Sequence, residues 1–121
     1  MSRVVHFEIP VNDPARARAF YEHVAGWQFQ SWGDQPYWLA TTGPDAAPGI
    51  DGALTPRSSD YAATVLTVQV ESLDAALGRV EHAAGRILQP RHGVPGVGWV
   101  ALCADTEGNV FGLLEADPAA R

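Results

Sequence analysis

The sequence has few groups that would be reactive by themselves. Its 121 residues contain a single cysteine, Cys103, so an internal disulfide and a zinc site built from clustered cysteines are both excluded. No apolar run approaches the roughly 18 residues of a membrane span. Gly-x-Ser-x-Gly and phosphate-loop patterns do not occur, which removes the usual support for acyl transfer and nucleotide hydrolysis. We therefore expect no membrane partner and no standard nucleophile.

Positive charge is also scarce. Eight Lys and Arg residues against 14 Asp and Glu give a net charge of −6, which argues against nucleic acid and favours neutral or cationic ligands. The first residues run into a strand pattern instead of a signal-peptide block, so we expect a cytoplasmic protein. A chain of this length buries a core without disulfides or metals. Composition thus permits a metal but does not require one.

An internal repeat organises the chain. Shifted by 59 positions without a gap, residues 4–55 share ten identities with residues 63–114, and "EHVAG" at 22–26 falls on "EHAAG" at 81–85. Each half begins with an alternating strand, at 3–11 and 63–71, continues with a helix, and ends with three short strands. The sequence predicts an α+β fold of two tandem βαβββ modules, a single domain with module 1 at about 3–55, a linker at 56–61 and module 2 at about 62–115.

Helix signals recur in both modules. Asp13 and Ser72 are suited to cap the helix starts, and Gly26 and Gly85 to end the helices. In the first helix an apolar stripe of Ala17, Phe20, Tyr21 and Val24 is expected to face the core. The strand segments that follow the helices are predicted at Trp27–Ser31, Tyr37–Thr42 and Ile50–Leu54, and at Arg86–Gln89, Gly98–Cys103 and Asn109–Glu115.

Alternation assigns the faces of the two leading strands. The apolar set should pack under the helices: Phe7, Ile9 and Val11 in module 1, Leu66, Val68 and Val70 in module 2. The other set is too polar for ordinary core: His6, Glu8 and Pro10, then Val65, Thr67 and Gln69. The second face therefore has the character of a pocket lining.

The segments "HFEIPVNDPARARAFYEHVAGW" and "GVPGVGWVALCADTEGNVFGLLE" resemble the vicinal oxygen chelate superfamily. That superfamily includes glyoxalase I, bleomycin resistance proteins and extradiol dioxygenases. The resemblance covers nearly the whole chain and implies a cupped mixed sheet, helices on its outer face, a ligand inside the cup and a homodimer. It does not specify an activity, because one fold hosts unrelated functions.

The resemblance also implies where a metal would be bound. Metal-using members place His and Glu ligands on the first and last strands of each module, and the corresponding positions here are His6, Ala53, Val65 and Gly112. Three of the four have no donor side chain, whereas a catalytic metal usually has about three protein ligands. We therefore predict no metal and no other cofactor.

Several side chains are candidates for binding a small organic ligand. His6 and Glu8 could act as a base and its orienting partner, or be a hydrogen-bonded remnant of a metal site. Asp51 could attract a cation or be a solvated turn residue, and Trp38 and Trp99 could form flat ligand walls. Thr67 and Gln69 could orient a ligand, and His92 lies in "RHGVPGVG" at 91–98, which we predict to be a mobile rim or an ordinary loop.

The sequence thus favours a metal-independent small-molecule-binding protein, for example one that sequesters an antibiotic or another toxic compound. Two alternatives stay open. One is a metal-dependent lyase, isomerase or dioxygenase of glyoxalase type that uses His6 and Glu8. The other is a non-catalytic interaction module with a vestigial cup.

Overall fold

The computed structural model describes residues 2–121 and confirms the α+β class with two βαβββ repeats. Among these residues, neither helix has the length and apolar character to cross a membrane. The elements in chain order are β1 (Arg3–Val11), α1 (Pro14–Ala25), β2 (Gln28–Ser31), β3 (Trp38–Thr41), β4 (Gly52–Pro56), β5 (Val65–Gln69), α2 (Leu73–His82), β6 (Arg86–Val94), β7 (Gly98–Ala104) and β8 (Val110–Ala116).

The chain forms two compact units, each with its own strands and helix. The first unit spans His6–Val65, and the second combines residues 2–5 with residues 66–121. The strand order is β2-β3-β4-β1 in the first unit and β5-β8-β7-β6 in the second. In each unit the first strand pairs in parallel with the last, and the other pairs are antiparallel.

The repeat extends to the hydrogen-bond register. Phe7 of β1 is opposite Gly52 of β4, and Leu66 of β5 is opposite Phe111 of β8. Both partners of the second pair follow those of the first by the 59 positions that align the two halves of the sequence. The same pairing is therefore built twice from segments that share few identical residues.

Both helices begin as the sequence predicts, but only one ends so. The Asp13 side chain accepts a hydrogen bond from the Arg16 N–H at 3.1 Å, and Gly26 ends α1 in the left-handed conformation with φ 70°. After α2, which ends at His82, the residue with positive φ is Ala84, at 69°, and not the predicted Gly85. A Cβ at Gly85 would lie 2.9 Å from the Ala104 carbonyl oxygen, so close packing explains that glycine.

The core of the second unit lies between α2 and one face of its sheet. Its buried members are Val70, Leu73, Ala76, Ala101, Cys103 and Leu113, and Val68 packs against them. Leu66 was predicted to belong to this set, yet 48% of its surface is exposed. The helix packs against Val68 near the end of β5 and against Val70 just after it, because the short turn at Ser72 starts α2 directly beside that end.

In the first unit, α1 packs against the predicted face through aromatic rings. Tyr21 stacks on Trp27 with ring centroids 4.8 Å apart, and Phe7 lies 5.6 Å from Trp27. The predicted apolar stripe is wrong in part, since Phe20 is 57% and Val24 64% exposed. An open groove of about 380 Å³, whose lining includes Ile9, lies beside Phe20 and leaves this part of the helix uncovered.

The segment 91–98 is also more ordered than the sequence indicates. We predicted a strand at Arg86–Gln89 followed by a mobile rim or an ordinary loop, but β6 continues to Val94 and pairs with β7 up to Gly98. Two irregularities in register, between Ile87 and Gln89 and between Gln89 and His92, let the strand continue past Pro90.

Candidate functional site

The polar face predicted for β1 is present in the first unit. Glu8 pairs with Ala53 of β4, which in turn pairs with Leu39 of β3, so these three residues share one face of the sheet. His6 lies two residues before Glu8 and therefore on the same face. The helix packs on the opposite face, where Phe7 covers Gly52.

His6 is linked to a tyrosine from outside its own strand. Its Nε2 atom lies 2.7 Å from the hydroxyl oxygen of Tyr37, and the two rings are stacked with an interplanar angle of 23°. Tyr37 directly precedes β3, so the antiparallel pairing of β3 with β4 carries it to the face that bears Glu8. Both side chains are half-buried.

Glu8 acts on two phenol groups, those of Tyr37 and Tyr61. Burial is the main reason that the pKa of Tyr37 lies above its ordinary value of 10, and the charge of Glu8 and a hydrogen bond to it act in the same direction. Burial also raises the pKa of Tyr61 to about 12, again with contributions from the charge of Glu8 and a hydrogen bond to it. Both phenols therefore stay protonated at neutral pH and keep a proton that they can donate in a hydrogen bond.

The imidazole of His6 is neutral at pH 7. Burial lowers its pKa below the ordinary 6.5, although the charges of Glu8 and Asp51 act in the opposite direction. The Asp51 carboxylate is hydrogen-bonded to Thr42. Its Oδ1 atom accepts hydrogen bonds from the Thr42 N–H at 2.9 Å and from the Thr42 hydroxyl at 3.3 Å. Asp51 thus closes the turn before β4 and adds negative charge near His6.

A connected set of four side chains results, which we name the β1 polar cluster: His6, Glu8, Tyr37 and Tyr61. It combines a neutral imidazole, a carboxylate and two phenols, so it offers hydrogen-bond donors and acceptors within a half-buried surface. The cluster can bind and orient the polar part of a small molecule, and its imidazole can accept a proton near neutral pH.

Trp38 lies apart from this cluster. It pairs with Leu54, which pairs with Ile9, so it is on the helix face of the sheet and not on the face of Glu8. The sequence analysis placed it on the wrong face, because a strand of four residues is too short for alternation to show which side chains point toward the helix. Its neighbour Tyr37 occupies the polar face instead.

Thr67 and Gln69 belong to the second unit and differ in exposure. Thr67 is buried, and its hydroxyl oxygen lies 2.9 Å from the place that a Cβ at Gly112 would take. Gln69, which pairs with Leu114, is exposed. The two share a face of β5, but only Gln69 has its side chain in solvent.

Trp99 and His92 also lie in the second unit, and both have local partners. Trp99 packs against the core under α2, its Nε1 donates to Asp117 Oδ2 at 3.0 Å, and the Arg91 guanidinium lies 4.6 Å above its ring. His92 is exposed on β6, with Nδ1 3.0 Å from the Pro90 carbonyl oxygen. Trp99 is therefore on the helix face, contrary to the expected ligand wall.

The residues present do not fit the metal that the superfamily implies. Of the four equivalent positions only His6 has a donor side chain, and its Nε2 faces the Tyr37 hydroxyl. Within residues 2–121, no three His, Cys, Asp or Glu side chains come together in a way that could hold a metal ion. At the last-strand position of the second unit, Thr67 fills the space beside Gly112.

Tyr37 and Tyr61 are the members of the β1 polar cluster that the sequence analysis missed. Tyr37 is 31 positions from His6, and nothing in the repeat marks it, since position 96 in the second half is a glycine. Tyr37 lies two residues before Leu39, so alternation would have placed it on the polar face if the pairing of Leu39 with Ala53 had been known. Tyr61 lies in the linker, where no periodicity gives its direction.

Comparisons with known proteins agree with this geometry. A model of the bleomycin resistance protein-like N-terminal family matches residues 3–39, the segment that contains β1 and Tyr37. The crystal structure of a glyoxalase/bleomycin resistance protein/dioxygenase superfamily member from Vibrio splendidus 12B01 is similar at TM-score 0.68 and 18% identity, with 93% of this chain and 97% of that chain covered. The chain therefore has the fold found in that superfamily. The resemblance inferred from the sequence is confirmed.

Other similar structures are those of enzymes. Methylmalonyl-CoA epimerase from Mycobacterium tuberculosis has TM-score 0.64 and 20% identity, with 95% of this chain and 88% of that one covered. The Streptomyces coelicolor methylmalonyl-CoA epimerase in complex with 2-nitronate-propionyl-CoA has TM-score 0.63 and 18% identity, covering 98% and 97%. No curated protein matches the chain. At these identities the structures establish the fold and not the activity.

Proposed function

We propose that this vicinal oxygen chelate protein binds a small organic molecule without a metal, and that the β1 polar cluster holds the ligand's polar group. The observation that carries the proposal is the contact between His6 Nε2 and the Tyr37 hydroxyl at 2.7 Å. In metal-using members, the side chain at the position of His6 coordinates the metal. Here the His6 side chain is instead hydrogen-bonded to a neighbouring phenol. Sequestration of a toxic compound such as an antibiotic is the activity that fits such a site.

A metal-dependent alternative is less compatible with the side chains. Ala53 and Gly112 have no donor atoms, and the space at Gly112 is taken by Thr67. Elemental analysis of dialysed protein, purified without chelator, should find well under one equivalent of any divalent transition metal. One equivalent that is lost in His6→Gln would overturn the metal-independent proposal.

An isomerase acting on a CoA ester, as in the similar epimerases, is a second alternative. Glu8 and Asp51 place negative charge at His6, and this charge opposes the carboxylate and phosphate groups of a substrate such as methylmalonyl-CoA. We expect no epimerisation of methylmalonyl-CoA by the purified protein. Turnover that is lost in Glu8→Gln would assign the site to catalysis instead.

Binding can be tested through the cluster itself. Native mass spectrometry should identify ligands that copurify, and a compound screen monitored by tryptophan fluorescence should find others. A compound that binds should lose about tenfold or more in affinity in Glu8→Gln or Tyr61→Phe, since one hydrogen bond to a charged group contributes about 1.5–3 kcal/mol. The control is Glu22→Gln, which makes the same change on the exposed surface of α1. Equal losses in the control would place the ligand elsewhere.

We also propose a twofold homodimer. Within residues 2–121, the edge strands β2 and β6 each pair with one neighbour, and such edges are commonly covered by association. Light scattering at micromolar concentration should give twice the chain mass of 12.9 kDa. A single-chain mass would contradict this part of the proposal.

A further inference from the structure

The open groove beside α1 lies on the helix face of the first sheet, away from the β1 polar cluster. Ile9 lines it, whereas Glu8, the preceding residue of β1, is on the other face of the sheet. Its volume of about 380 Å³ is within the range of sites that hold small molecules. We name it the α1 groove, and the apolar part of its lining is formed by Ile9, Val11, Ala17, Phe20 and Tyr21.

The second unit has closed core at the equivalent place. With the shift of 59 positions, four of the apolar lining residues correspond to residues that pack together under α2, namely Val68, Val70, Ala76 and Val80. Leu73, which is 0% exposed in that core, corresponds to Pro14, whose shorter side chain is only half-buried. The first unit therefore leaves open a space that the same architecture fills in the second unit.

One guanidinium group of the lining, that of Arg57, is fixed in place by carbonyl groups. Its Nη1 donates to the Ala62 carbonyl oxygen at 2.8 Å and its Nη2 to the Pro10 carbonyl oxygen at 3.3 Å. In the described part of the chain, the guanidinium that pairs with a carboxylate is that of Arg91, with Asp74. Because a guanidinium has five N–H donors, Arg57 keeps both free donors and an unpaired charge.

Arg16 adds a second positive charge to the lining, where the acidic residue is Asp13. The Asp13 side chain caps α1 and accepts the Arg16 backbone N–H at 3.1 Å, so its charge is directed at the helix N-terminus. Two arginines and one aspartate leave one positive charge in the groove of a chain whose net charge is −6. The second unit has Ala75 and Ala116 at the positions of Arg16 and Arg57, so both charges belong to the unit with the open groove.

We propose that the α1 groove is a second binding site, and that it takes a small organic monocarboxylate with an apolar body. A guanidinium presents N–H donors in the planar arrangement that a carboxylate accepts. Phe20, which is 57% exposed, and Ile9 provide surface for the apolar body. A single net positive charge matches a carboxylate better than a doubly charged phosphate. The site is separate from the β1 polar cluster, where the carboxylate of Glu8 disfavours an acid.

Three probes separate the charge of the ligand from its apolar body: cinnamate, cinnamyl alcohol and acetate. In an amide titration of ¹⁵N-labelled protein at low salt, cinnamate should shift the N–H signals of Ala17 and Phe20. Its affinity should be about tenfold or more above those of the other two probes, which lack either the charge or the body. Added salt should weaken it by screening. Equal binding of the alcohol, or no shift of the groove signals at millimolar cinnamate, would overturn the proposal.

Filling the groove tests its location without removing a charge. Ala17→Leu adds three carbon atoms to the lining, and the cinnamate affinity should fall about tenfold or more because the space is taken. The matched control is Ala19→Leu, which makes the same change at an exposed position of α1 outside the lining. Equal affinities in the two variants would place the ligand elsewhere. Ligands of the β1 polar cluster should bind Ala17→Leu as they bind the wild type, so this proposal and the proposed function can fail separately.

Removing a charge tests the ligand class. Arg16→Gln should weaken cinnamate by about threefold, the effect of an exposed ion pair, and Arg57→Gln by more, because its guanidinium is already held in position. Arg79→Gln is the control, since it removes the same charge from an exposed position of α2. If Arg57→Gln fails to fold, Arg16→Gln decides, because its side chain supports no backbone group. Losses equal to that of the control would overturn the role of the arginines.

A second copy of the chain is the competing occupant of the groove, since Phe20 and Val24 are exposed there and beside it. Light scattering of Phe20→Ser at micromolar concentration should give the same mass as the wild type. A lower mass, together with the absence of a cinnamate shift in the wild type, would show that the groove is an interface between copies and would overturn the proposed ligand.

Discussion

The contrast between two leucines of the second unit gives a quantitative test of the structure. Leu73 is 0% exposed in the core under α2, whereas Leu66 on β5 is 48% exposed. Replacing either by alanine removes the same three carbon atoms. Any difference in the free energy of unfolding therefore reports the surroundings and not the chemistry of the change.

The expected magnitudes follow from burial. Leu73→Ala loses the full transfer energy and leaves a cavity, which costs about 2.7–5 kcal/mol in comparable sites. Leu66→Ala loses about half of the transfer energy and leaves no enclosed cavity. At about 0.8 kcal/mol per buried carbon group, that amounts to roughly 1 kcal/mol. Leu73→Ala should thus be about three times as destabilising.

Urea unfolding followed by circular dichroism would measure both variants, and an unchanged dependence on denaturant would show that the unfolded states are comparable. Both residues lie in one unit, so they report on the same unfolding transition. If Leu66→Ala lowers the free energy of unfolding as much as Leu73→Ala does, then the Leu66 side chain is covered in solution and is not half exposed. Repeating the measurement at tenfold higher protein concentration would show whether a second copy provides the cover.

Three further predictions concern ionisation and packing. Absorbance titration should show Tyr61 ionising near pH 12, and Glu8→Gln should lower that pKa; ionisation near 10 in the wild type would contradict the burial of Tyr61. The lowered pKa of His6 means that the unfolded chain binds a proton first, so the stability due to neutral His6 is present above pH 6.5 and is lost as the pH falls below it. In His6→Gln the melting temperature should fall less steeply as the pH drops below 6.5. If the fall is as steep as in the wild type, another group takes up the proton. Gly52→Ala should destabilise by about 1–3 kcal/mol because its methyl group meets the Phe7 ring, and a neutral effect on the melting temperature would show that the ring can move aside.

Much of the fold could be predicted from local signals. The cap residue Asp13, the stop at Gly26 and the strand at residues 3–11 depend on signals within a few positions, and each is found as predicted. The 59-residue repeat then predicts the second unit from the first. Errors arise where tertiary packing overrides a pattern. Leu66 has the right period for the core, but the helix lies beside another part of β5.

The site was half predictable for a related reason. Alternation alone places His6 and Glu8 on one face, since both lie on a strand of nine residues with a clear phase. Tyr37 and Tyr61 reach that face from a short strand's edge and from the linker, by contacts that depend on the complete sheet. Trp38 was misplaced because β3 has only four residues, too few for alternation to fix which face is inside.

The parallel pairing within each unit has a consequence for how the chain is made. Residues that meet in the closing pair, Phe7 with Gly52 and Leu66 with Phe111, are 45 positions apart in both units. The first sheet cannot close until its last strand has left the ribosome, and the pairs that join β1 to β4, β2 to β3 and β3 to β4 all lie within the first half of the chain. Because domains and their parts generally fold in the order of synthesis, the half that bears Glu8 has time to assemble while the other half is still being translated. A nascent chain stalled shortly after Val65 has left the ribosomal tunnel should therefore already protect β1 from proteolysis.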